Sequence, residues 1–401
     1  MSDQSAGQGF PDLLTTETER SLADALGSLL ADRGGWDKVL ARTESAETYD
    51  AELWRAVAAD LGCAGLLIPE KNGGAGASYR EATCAAEVLG AWVAPVPFLG
   101  SAVVATAALL ACAGPAEAQR SSEAQRSSEA EHLLGRMADG GLTAALTIPF
   151  AVKPGAPFPV SVRVSGSKPG DAHAGWSRLR GTVAGVADAL PAQMLLVPAD
   201  GVPKGLYAVD VSSARVTRTP VVSLDMTRQL CDVAFDDAPA VLVAYGDAAA
   251  KAVAAAVAVG ACALAAEQLG VAQRCLDMTV AYVKERRQFA RPVGSFQAIK
   301  HRLADLWVAV SQARAASRYA AACLADGAAD TPVAVALAKV YCSDVAVLAA
   351  QECVQLHGGI GFTWEHPAHL YLKRAKADSL AFGTAEAHRG SLAGLVNLPA
   401  P

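Results

Sequence analysis

The sequence predicts an α+β protein with an N-terminal helical domain, a middle β barrel or sandwich, and a C-terminal helical bundle. Three observations predict it. The chain has 401 residues, which is enough for two to three domains. Helical spacing of apolar residues fills both ends of the chain. About a hundred residues between them consist of short Val- and Thr-rich runs separated by Gly, Pro and Asp. We place the domains at residues 1–140, 141–243 and 244–401.

The first domain is predicted to be helical from Thr15 to about Gly114. Apolar residues recur there every three to four positions, and acidic residues stand near the helix starts. A stretch dense in Pro and Gly at residues 66–78 predicts a loop between helices. A hexapeptide is then repeated between residues 117 and 131, and its Ala, Gln and Glu content favours an exposed loop or helix extension without function.

The middle domain is predicted to contain six short strands. From about Asp247 onward long Ala- and Leu-rich helices return in at least four segments, as in a helical bundle. Breaks are expected near Gly294, at residues 326–332 and at residues 358–367. The six strands are expected at residues 143–150, 158–166, 192–199, 206–212, 216–224 and 231–237.

Composition excludes several classes of protein. The chain has 34 Lys and Arg against 40 Asp and Glu, so it lacks the basic excess that nucleic-acid binding requires. The longest uncharged apolar run, residues 252–266, is shorter than the roughly 20 residues of a membrane span. The N-terminal residues show no secretory signal pattern, and the nine cysteines include no CxxC pair. We therefore expect a cytoplasmic protein with buried thiols and no nucleic-acid or membrane partner.

Two segments contain candidate ligand-binding residues. Residues 284–297 place three arginines at a helix end before a Pro/Gly turn, a pattern suited to an anion such as a pyrophosphate. On spacing alone, a solvated basic helix cap is the commoner explanation. Residues 354–367 have three glycines in four positions after an apolar helix. These glycines permit close approach of a flat ligand, or they form an ordinary helix C-cap and loop.

Together these two segments resemble the acyl-CoA dehydrogenase family, and the resemblance covers nearly the whole chain. The loop at residues 66–78 adds the family's Pro-Glu-x-x-Gly-Gly-x-Gly pattern, and Ala290 stands where glycine is usual. The first motif is matched by Arg286, Phe289, Pro292, Val293, Phe296 and Gln297, and the second by Gln355, Gly358, Gly359, Gly361 and Phe362.

The resemblance implies a C-terminal four-helix bundle and an FAD-dependent dehydrogenation of an acyl-CoA. In the family, a glutamate removes the α proton of the thioester and the flavin takes the β hydride. The two motifs contact the ADP half of an FAD whose ring lies in the neighbouring subunit. The residues implied to bind the cofactor here are Arg286, Phe289, Gln297, Gln355, Leu356, His357, Gly358 and Gly359.

The chain departs from the family at the catalytic base, so no catalytic residue is assigned. The usual Tyr-Glu-Gly-Thr segment corresponds to residues 381–384, where Phe382 replaces the glutamate. The other position at which some members carry the base corresponds to Gly260. Glu267 lies two helical turns further along, on the order of 10 Å away, and Glu386 lies one turn beyond Phe382. Either could be proposed as a substitute base, although an ion pair with a neighbouring arginine explains them more simply.

The flavin side of the site is also altered. Residues 147–155 replace a family loop that lies against the flavin, but they lack its Gly-Ser-Asp sequence, and no Trp-Ile-Thr strand is found nearby. The ADP-side motifs, in contrast, are almost intact. This asymmetry resembles the base-less subunit of the two-gene acyl-CoA dehydrogenases, which form α2β2 heterotetramers and act on bulky acyl-CoAs such as steroid side-chain thioesters.

The resulting hypothesis is a non-catalytic subunit that completes the FAD site of a catalytic partner, with the acyl-CoA bound mainly by that partner. One alternative is a self-sufficient homo-oligomeric dehydrogenase that uses Glu267 as its base. Another is a protein that binds acyl-CoA or a partner without redox chemistry. No metal site is expected, because His357, His366 and His369 have no cysteine or carboxylate set to complete a tetrahedral site.

Overall fold

Helices at both ends of the chain enclose one mixed β sheet. The computed structural model describes residues 12–45, 47, 49–113, 121–166 and 176–398. The order of helical domain, sheet and helical domain confirms the predicted fold class. The residue boundaries assigned to the three domains stay a prediction. Residues 1–11, on which the expectation of no secretory signal rests, lie outside the described residues.

Within the described residues, six α-helices precede the sheet. They are α1 (Glu17–Arg33), α2 (Trp36–Thr43), α3 (Ala51–Arg55), α4 (Tyr79–Ala91), α5 (Thr106–Cys112) and α6 (Ser121–Ala138). Helices α1 and α4 both begin with a capping box, in which Thr16 pairs with Glu19 and Ser78 with Glu81. Arg80 of α4 also donates to Glu19 of α1 at 2.7 Å, which joins the two helix starts.

The predicted loop and helix extension are both found. Between α3 and α4 the loop at residues 66–78 contains one short 3-10 turn, Glu70–Asn72. Helix α6 begins at Ser121, so the second half of the hexapeptide repeat forms a helix extension. Residues 117–120 of the repeat lie outside the described residues.

In the part of the chain that the structure describes, the sheet contains seven strands, one more than the six predicted. Their order is β1-β4-β5-β7-β3-β2, with β6 paired to β7. Only β1 and β4 are parallel among the pairs of this sheet within the described residues. The long β7 pairs with β3 along one edge and with β6 and then β5 along the other. The strands are β1 (Ala144–Leu146), β2 (Val162–Gly166), β3 (Trp176–Ala187), β4 (Met194–Ala199), β5 (Gly205–Asp210), β6 (Val216–Val221) and β7 (Leu230–Tyr245).

Up to residue 398, where the described residues end, the sheet is followed by five α-helices and by a two-stranded hairpin directly after the first helix. They are α7 (Gly246–Glu285), β8 (Arg287–Gln288), β9 (Arg291–Pro292), α8 (Gln297–Asp326), α9 (Thr331–His357), α10 (Ala368–Asp378) and α11 (Ala385–Leu395). The first three breaks between the helices fall where the sequence predicts them, whereas the break between α10 and α11, at residues 379–384, was not predicted. Helix α7 is the central element and packs against α4, α8 and α9. Small residues at these contacts let the helices approach closely. For example, a Cβ atom added to Gly90 of α4 would lie 2.2 Å from the carbonyl oxygen of Glu267 in α7.

Helix α7 and the stretch Thr331–Phe362 are long and apolar enough to cross a membrane by length and composition alone. Because 67% and 61% of their most apolar windows are buried inside the protein, they serve as core helices, and they are weak evidence for a membrane span. The nine cysteines all carry unpaired thiols, and seven of them are buried, as the sequence predicts.

Candidate functional site

The two motifs predicted to bind ADP meet where the ends of α7 and α9 adjoin. The Tyr282 ring, one turn before Arg286, packs on the His357 ring with 4.5 Å between the centroids. Arg286 ends α7, donating its backbone N–H to the Tyr282 carbonyl at 2.8 Å, and its side chain is exposed. Phe289, at the tip of the hairpin, is 87% exposed. The hairpin turns through Ala290 at a φ of 62°, which explains why glycine is favoured at this position.

The glycines of the second motif leave open space in front of the backbone. Gly358 follows the last residue of α9 with a φ of 63°, and its N–H donates to the Gln355 carbonyl. A Cβ atom added to Gly358 or Gly359 would have no neighbour within 4 Å. Gln297 and Gln355 are exposed beside them. We call Arg286, Phe289, Gln297, Gln355, Gly358 and Gly359 the ADP face.

Leu356 and His357 were also predicted to bind the cofactor, but their side chains are buried. The His357 ring lies between Tyr282 and His366, and its Nδ1 atom is 2.6 Å from the Cys353 carbonyl oxygen. Burial and the neighbouring histidines lower the pKa of His366 to about 4, so this ring is neutral near pH 7 and stacks on His357 without charge repulsion. Leu356 and His357 therefore support the loop from inside.

The two positions predicted for the catalytic base lie against each other. Phe382 is 3% exposed, and its ring packs over Gly260 of α7. A Cβ atom added to Gly260 would lie 2.7 Å from the Phe382 Cζ atom and 2.9 Å from Val104 Cγ2. The point at which either kind of base would stand is thus filled by a hydrocarbon ring.

The segments expected to face the flavin ring contact each other directly. The Phe382 N–H donates to the Phe150 carbonyl at 2.7 Å, and the two rings meet edge to face with 5.3 Å between centroids. A Cβ atom added to Gly383 would lie 2.7 Å from Lys153 Cβ. The space left beside Phe382 measures only about 20 Å³, which suits one water molecule. The chain therefore fits the nucleotide half of FAD at its ADP face and does not fit the flavin ring here.

Glu267 is held in a buried ion-pair cluster. It is 5% exposed, and both carboxylate oxygens accept from Arg228 Nη2, at 2.5 and 2.6 Å. Arg374 Nη1 also donates to it. Arg374 Nε lies 2.7 Å from Asp225, and Arg228 Nη1 lies 3.7 Å from Asp188. The cluster joins the turn before β7 to α7 and α10.

The electrostatics of this cluster make Glu267 a poor base. Burial alone would raise the pKa of Glu267, but Arg228 and Arg374 outweigh burial and hold this pKa at about 2. A carboxylate with so low a pKa, already accepting from two guanidinium groups, is a weak proton acceptor. Glu386, the other candidate, has a side chain 81% exposed, with its carboxylate 3.8 Å from Arg389.

Sequence reasoning missed the partners of Glu267. Arg228 and Arg374 are each nearly fully buried, yet 146 residues separate them in the chain, from 228 to 374. Their one sequence signal is a charged residue next to apolar runs, which also describes many exposed arginines. Among the described residues, no group of three or more His, Cys, Asp or Glu side chains is arranged to hold a metal ion.

Comparison with known proteins identifies the family. The family described as acyl-CoA dehydrogenase, N-terminal domain, matches residues 16–143, and acyl-CoA dehydrogenase, C-terminal domain, matches residues 250–395. Acyl-CoA dehydrogenase IpdE2 of Mycobacterium tuberculosis is 34% identical over 360 residues, which cover 90% of this chain and 91% of the relative. IpdE2 of Mycolicibacterium smegmatis is 33% identical, covering 92% and 95%.

Solved structures agree over the same length. A variant of the Tcur3481-Tcur3483 steroid ACAD superposes with a TM-score of 0.78 at 29% identity, covering 95% of this chain and 98% of that one. The ChsE4-ChsE5 complex from Mycobacterium tuberculosis gives a TM-score of 0.80 at 26% identity, covering 97% and 100%. Family matches at both ends and relatives aligned over nine-tenths of the length lead to one conclusion. The chain belongs to the acyl-CoA dehydrogenase family, whose members are FAD-dependent dehydrogenases.

Proposed function

We propose that this chain is the base-less subunit of a heteromeric acyl-CoA dehydrogenase. It contributes the ADP face to an FAD held by a catalytic partner subunit, in an α2β2 assembly located in the cytoplasm. The complex dehydrogenates a bulky acyl-CoA, such as a steroid side-chain thioester, that is bound mainly by the partner. The similarity to a steroid ACAD and to the ChsE4-ChsE5 complex supports a heteromer and this substrate class.

The observation that carries this proposal is the packing of Phe382 over Gly260. A general base needs a lone pair within hydrogen-bond reach of the proton that it removes. Phenylalanine has no lone pair and glycine has no side chain. The residues at both family positions thus supply no base, and Glu267, a buried glutamate on the same helix as Gly260, is held by two arginines.

The ADP face has the chemistry to hold a nucleotide from outside the chain. Arg286 supplies a permanent positive charge for phosphate oxygens, and the Gln297 and Gln355 side chains can donate hydrogen bonds. Phe289 offers an exposed apolar ring, and Gly358 and Gly359 allow a ligand to approach the backbone closely. FAD, when bound, supplies the acceptor for the hydride from the acyl β carbon. A chain with an open nucleotide face and a closed ring side is suited to completing a site on another subunit.

An Arg286→Ala substitution tests the proposal in the complex purified with its natural partner. We expect the flavin content per complex to fall, since the substitution removes a charge that faces the phosphates, while the complex still assembles. Flavin absorbance and size-exclusion chromatography measure these two quantities. The control is Arg33→Ala, an exposed arginine at the end of α1. Unchanged flavin content in Arg286→Ala would refute the ADP-face role and would favour a protein that binds acyl-CoA or a partner without redox chemistry.

The alternative of a self-sufficient enzyme with Glu267 as base predicts a different result. The isolated chain would then hold FAD and dehydrogenate acyl-CoA, and Glu267→Gln would abolish that activity. The ion pairs of Glu267 with Arg228 and Arg374 argue against it, because protonation of this carboxylate during turnover would break a buried charge cluster.

A further inference from the structure

A cavity bordered by α7, α9 and α11 lies apart from the ADP face and from the contact between Phe382 and Gly260. It has a volume of about 450 Å³ and lies between α7, the start of α9, α11 and the loop at residues 154–155. Its volume is within the range of sites that bind small molecules. Most of its wall is made of small apolar side chains: Ala254, Ala258, Pro332, Val335, Ala336 and Leu395.

The polar side chains in the wall have already used their donors inside the protein. Thr331 Oγ1 donates to the Cys323 and Ala328 carbonyl oxygens at 2.9 and 2.7 Å, and Ser391 Oγ donates to the Ala387 carbonyl at 3.1 Å. His388 Nε2 lies 2.8 Å from the Phe382 carbonyl oxygen.

The cavity wall also lacks formal charge. Burial lowers the pKa of His388, which keeps its ring neutral at pH 7. No Lys, Arg, Asp or Glu is found among the described residues that line the cavity. Placing a phosphate or carboxylate in such surroundings would leave its charge unpaired, which is costly, whereas an uncharged hydrocarbon loses only contact with water.

We propose that this cavity binds an uncharged, predominantly hydrocarbon small molecule. The site is separate from the nucleotide face, and His388, hydrogen-bonded to the Phe382 carbonyl, forms the part of its wall nearest the closed base position. The proposal does not depend on the heteromeric function, because binding can be measured on the full-length chain without flavin or partner.

Two glycines of α11 provide a matched pair of variants. A Cβ atom added to either Gly390 or Gly394 would meet nothing within 4 Å, and both glycines are exposed, but only Gly394 lines the cavity. We expect Gly394→Phe to abolish binding of progesterone, an uncharged and mostly hydrocarbon probe, and Gly390→Phe to retain the affinity of the unmodified chain. Isothermal titration calorimetry measures the affinity, and circular dichroism checks that both variants are folded.

A second variant fills the cavity from the opposite wall. Ala258→Phe, on α7, is expected to abolish progesterone binding as well, while Ala248→Phe, exposed in the first turn of α7, is expected to retain it. Coenzyme A, a charged probe, should not compete with progesterone. The proposal is overturned if the unmodified chain does not bind progesterone, if coenzyme A displaces it, or if folded Gly394→Phe and Ala258→Phe variants bind it with unchanged affinity.

Discussion

Phe382 and Gly260 fit together because one side chain is large and the other is absent. Adding a methyl group at Gly260 would place it 2.7 Å from the Phe382 ring and 2.9 Å from Val104, in a region with little spare volume. We therefore expect Gly260→Ala to lower the free energy of unfolding by about 1–3 kcal/mol. Urea denaturation measures this change. Gly27→Ala in α1, where an added Cβ atom meets nothing within 4 Å, should stabilise the protein slightly.

Removal of the Phe382 ring should offset part of the loss in stability that Gly260→Ala causes. Phe382→Ala alone leaves a cavity and should cost about 3–5 kcal/mol. In the double variant that combines Gly260→Ala with Phe382→Ala, the added methyl group faces this cavity. The loss of stability should therefore be smaller than the sum of the losses in the two single variants. Strictly additive losses would show that the two residues are not in contact.

Glu267 is predicted to be structural. Glu267→Gln removes the carboxylate shared by Arg228 and Arg374 and leaves two buried guanidinium groups less well paired. We expect a loss of about 3–5 kcal/mol in the free energy of unfolding, measured by urea denaturation. Glu17→Gln removes an exposed ion pair with Arg20 in α1 and should change stability little. Equal effects of the two substitutions would contradict the buried cluster.

The lowered pKa of Glu267 predicts that the stability of the fold depends on pH. The pKa of Glu267 is about 2 in the folded protein, well below the value of about 4.3 for an unfolded glutamate. A carboxylate with a lowered pKa stabilises the fold above the unfolded pKa, and this contribution is lost as pH falls through the folded pKa. The stability difference between the unmodified chain and Glu267→Gln should therefore shrink as pH falls from about 4.3 toward about 2. A difference that stays constant over this interval would be inconsistent with the ion pairs.

The sequence predicts the role of an individual residue only where that residue belongs to a recognisable motif. The ADP-face residues follow from two local motifs, and the structure brings those motifs together through Tyr282 and His357. Arg228 and Arg374 were missed because burial of an arginine depends on a partner distant in sequence, and hydrophobic spacing carries no information about that partner. The burial of Leu356 and His357 was likewise not visible, since a motif does not show which way a side chain points.

Helices α4 and α7 cross closely because glycines stand at their contact. A Cβ atom added to Gly270 would lie 1.8 Å from the Glu87 carbonyl oxygen, a backbone atom that cannot rotate away. Gly270→Ala should therefore force the helices apart and lower the melting temperature. Gly135→Ala in α6, where the nearest atom would be 3.8 Å away, should raise it slightly, because alanine favours a helix more than glycine does. Similar melting temperatures for the two variants would contradict this close crossing.

At the scale of elements, long helices and strands with strong alternation were predictable, and one strand was not. Helices α7, α8 and α9 follow from Ala- and Leu-rich runs broken by Gly and Pro. The six predicted strands all occur, but β3 was missed, because its arginines and glycines dilute the alternation of Leu179, Val183 and Val186, the apolar residues that it buries. Strand β3 forms because it pairs with β7 along nearly its whole length. Such long-range pairing cannot be predicted from a short segment of sequence.

At the scale of the whole molecule, the two halves of the expected cofactor site differ in kind. The ADP face is open and exposed and has the positive charge of Arg286, whereas the segments expected to face the flavin ring pack on each other through Phe150 and Phe382. This difference supports our proposal that the chain supplies the nucleotide contacts of a site on another chain. Family membership was predictable from the motifs, while closure of the ring side is a property of packing and required the structure.

Counting flavins per subunit tests this division of the site most directly. The measurement compares the full-length chain expressed alone with the complex formed with its natural partner, using flavin absorbance together with acyl-CoA dehydrogenation. We predict that the chain alone is colourless and inactive, and that the complex is active and holds about one FAD for every two subunits. A yellow, active homo-oligomer with one FAD in each copy of this chain would contradict the central claim.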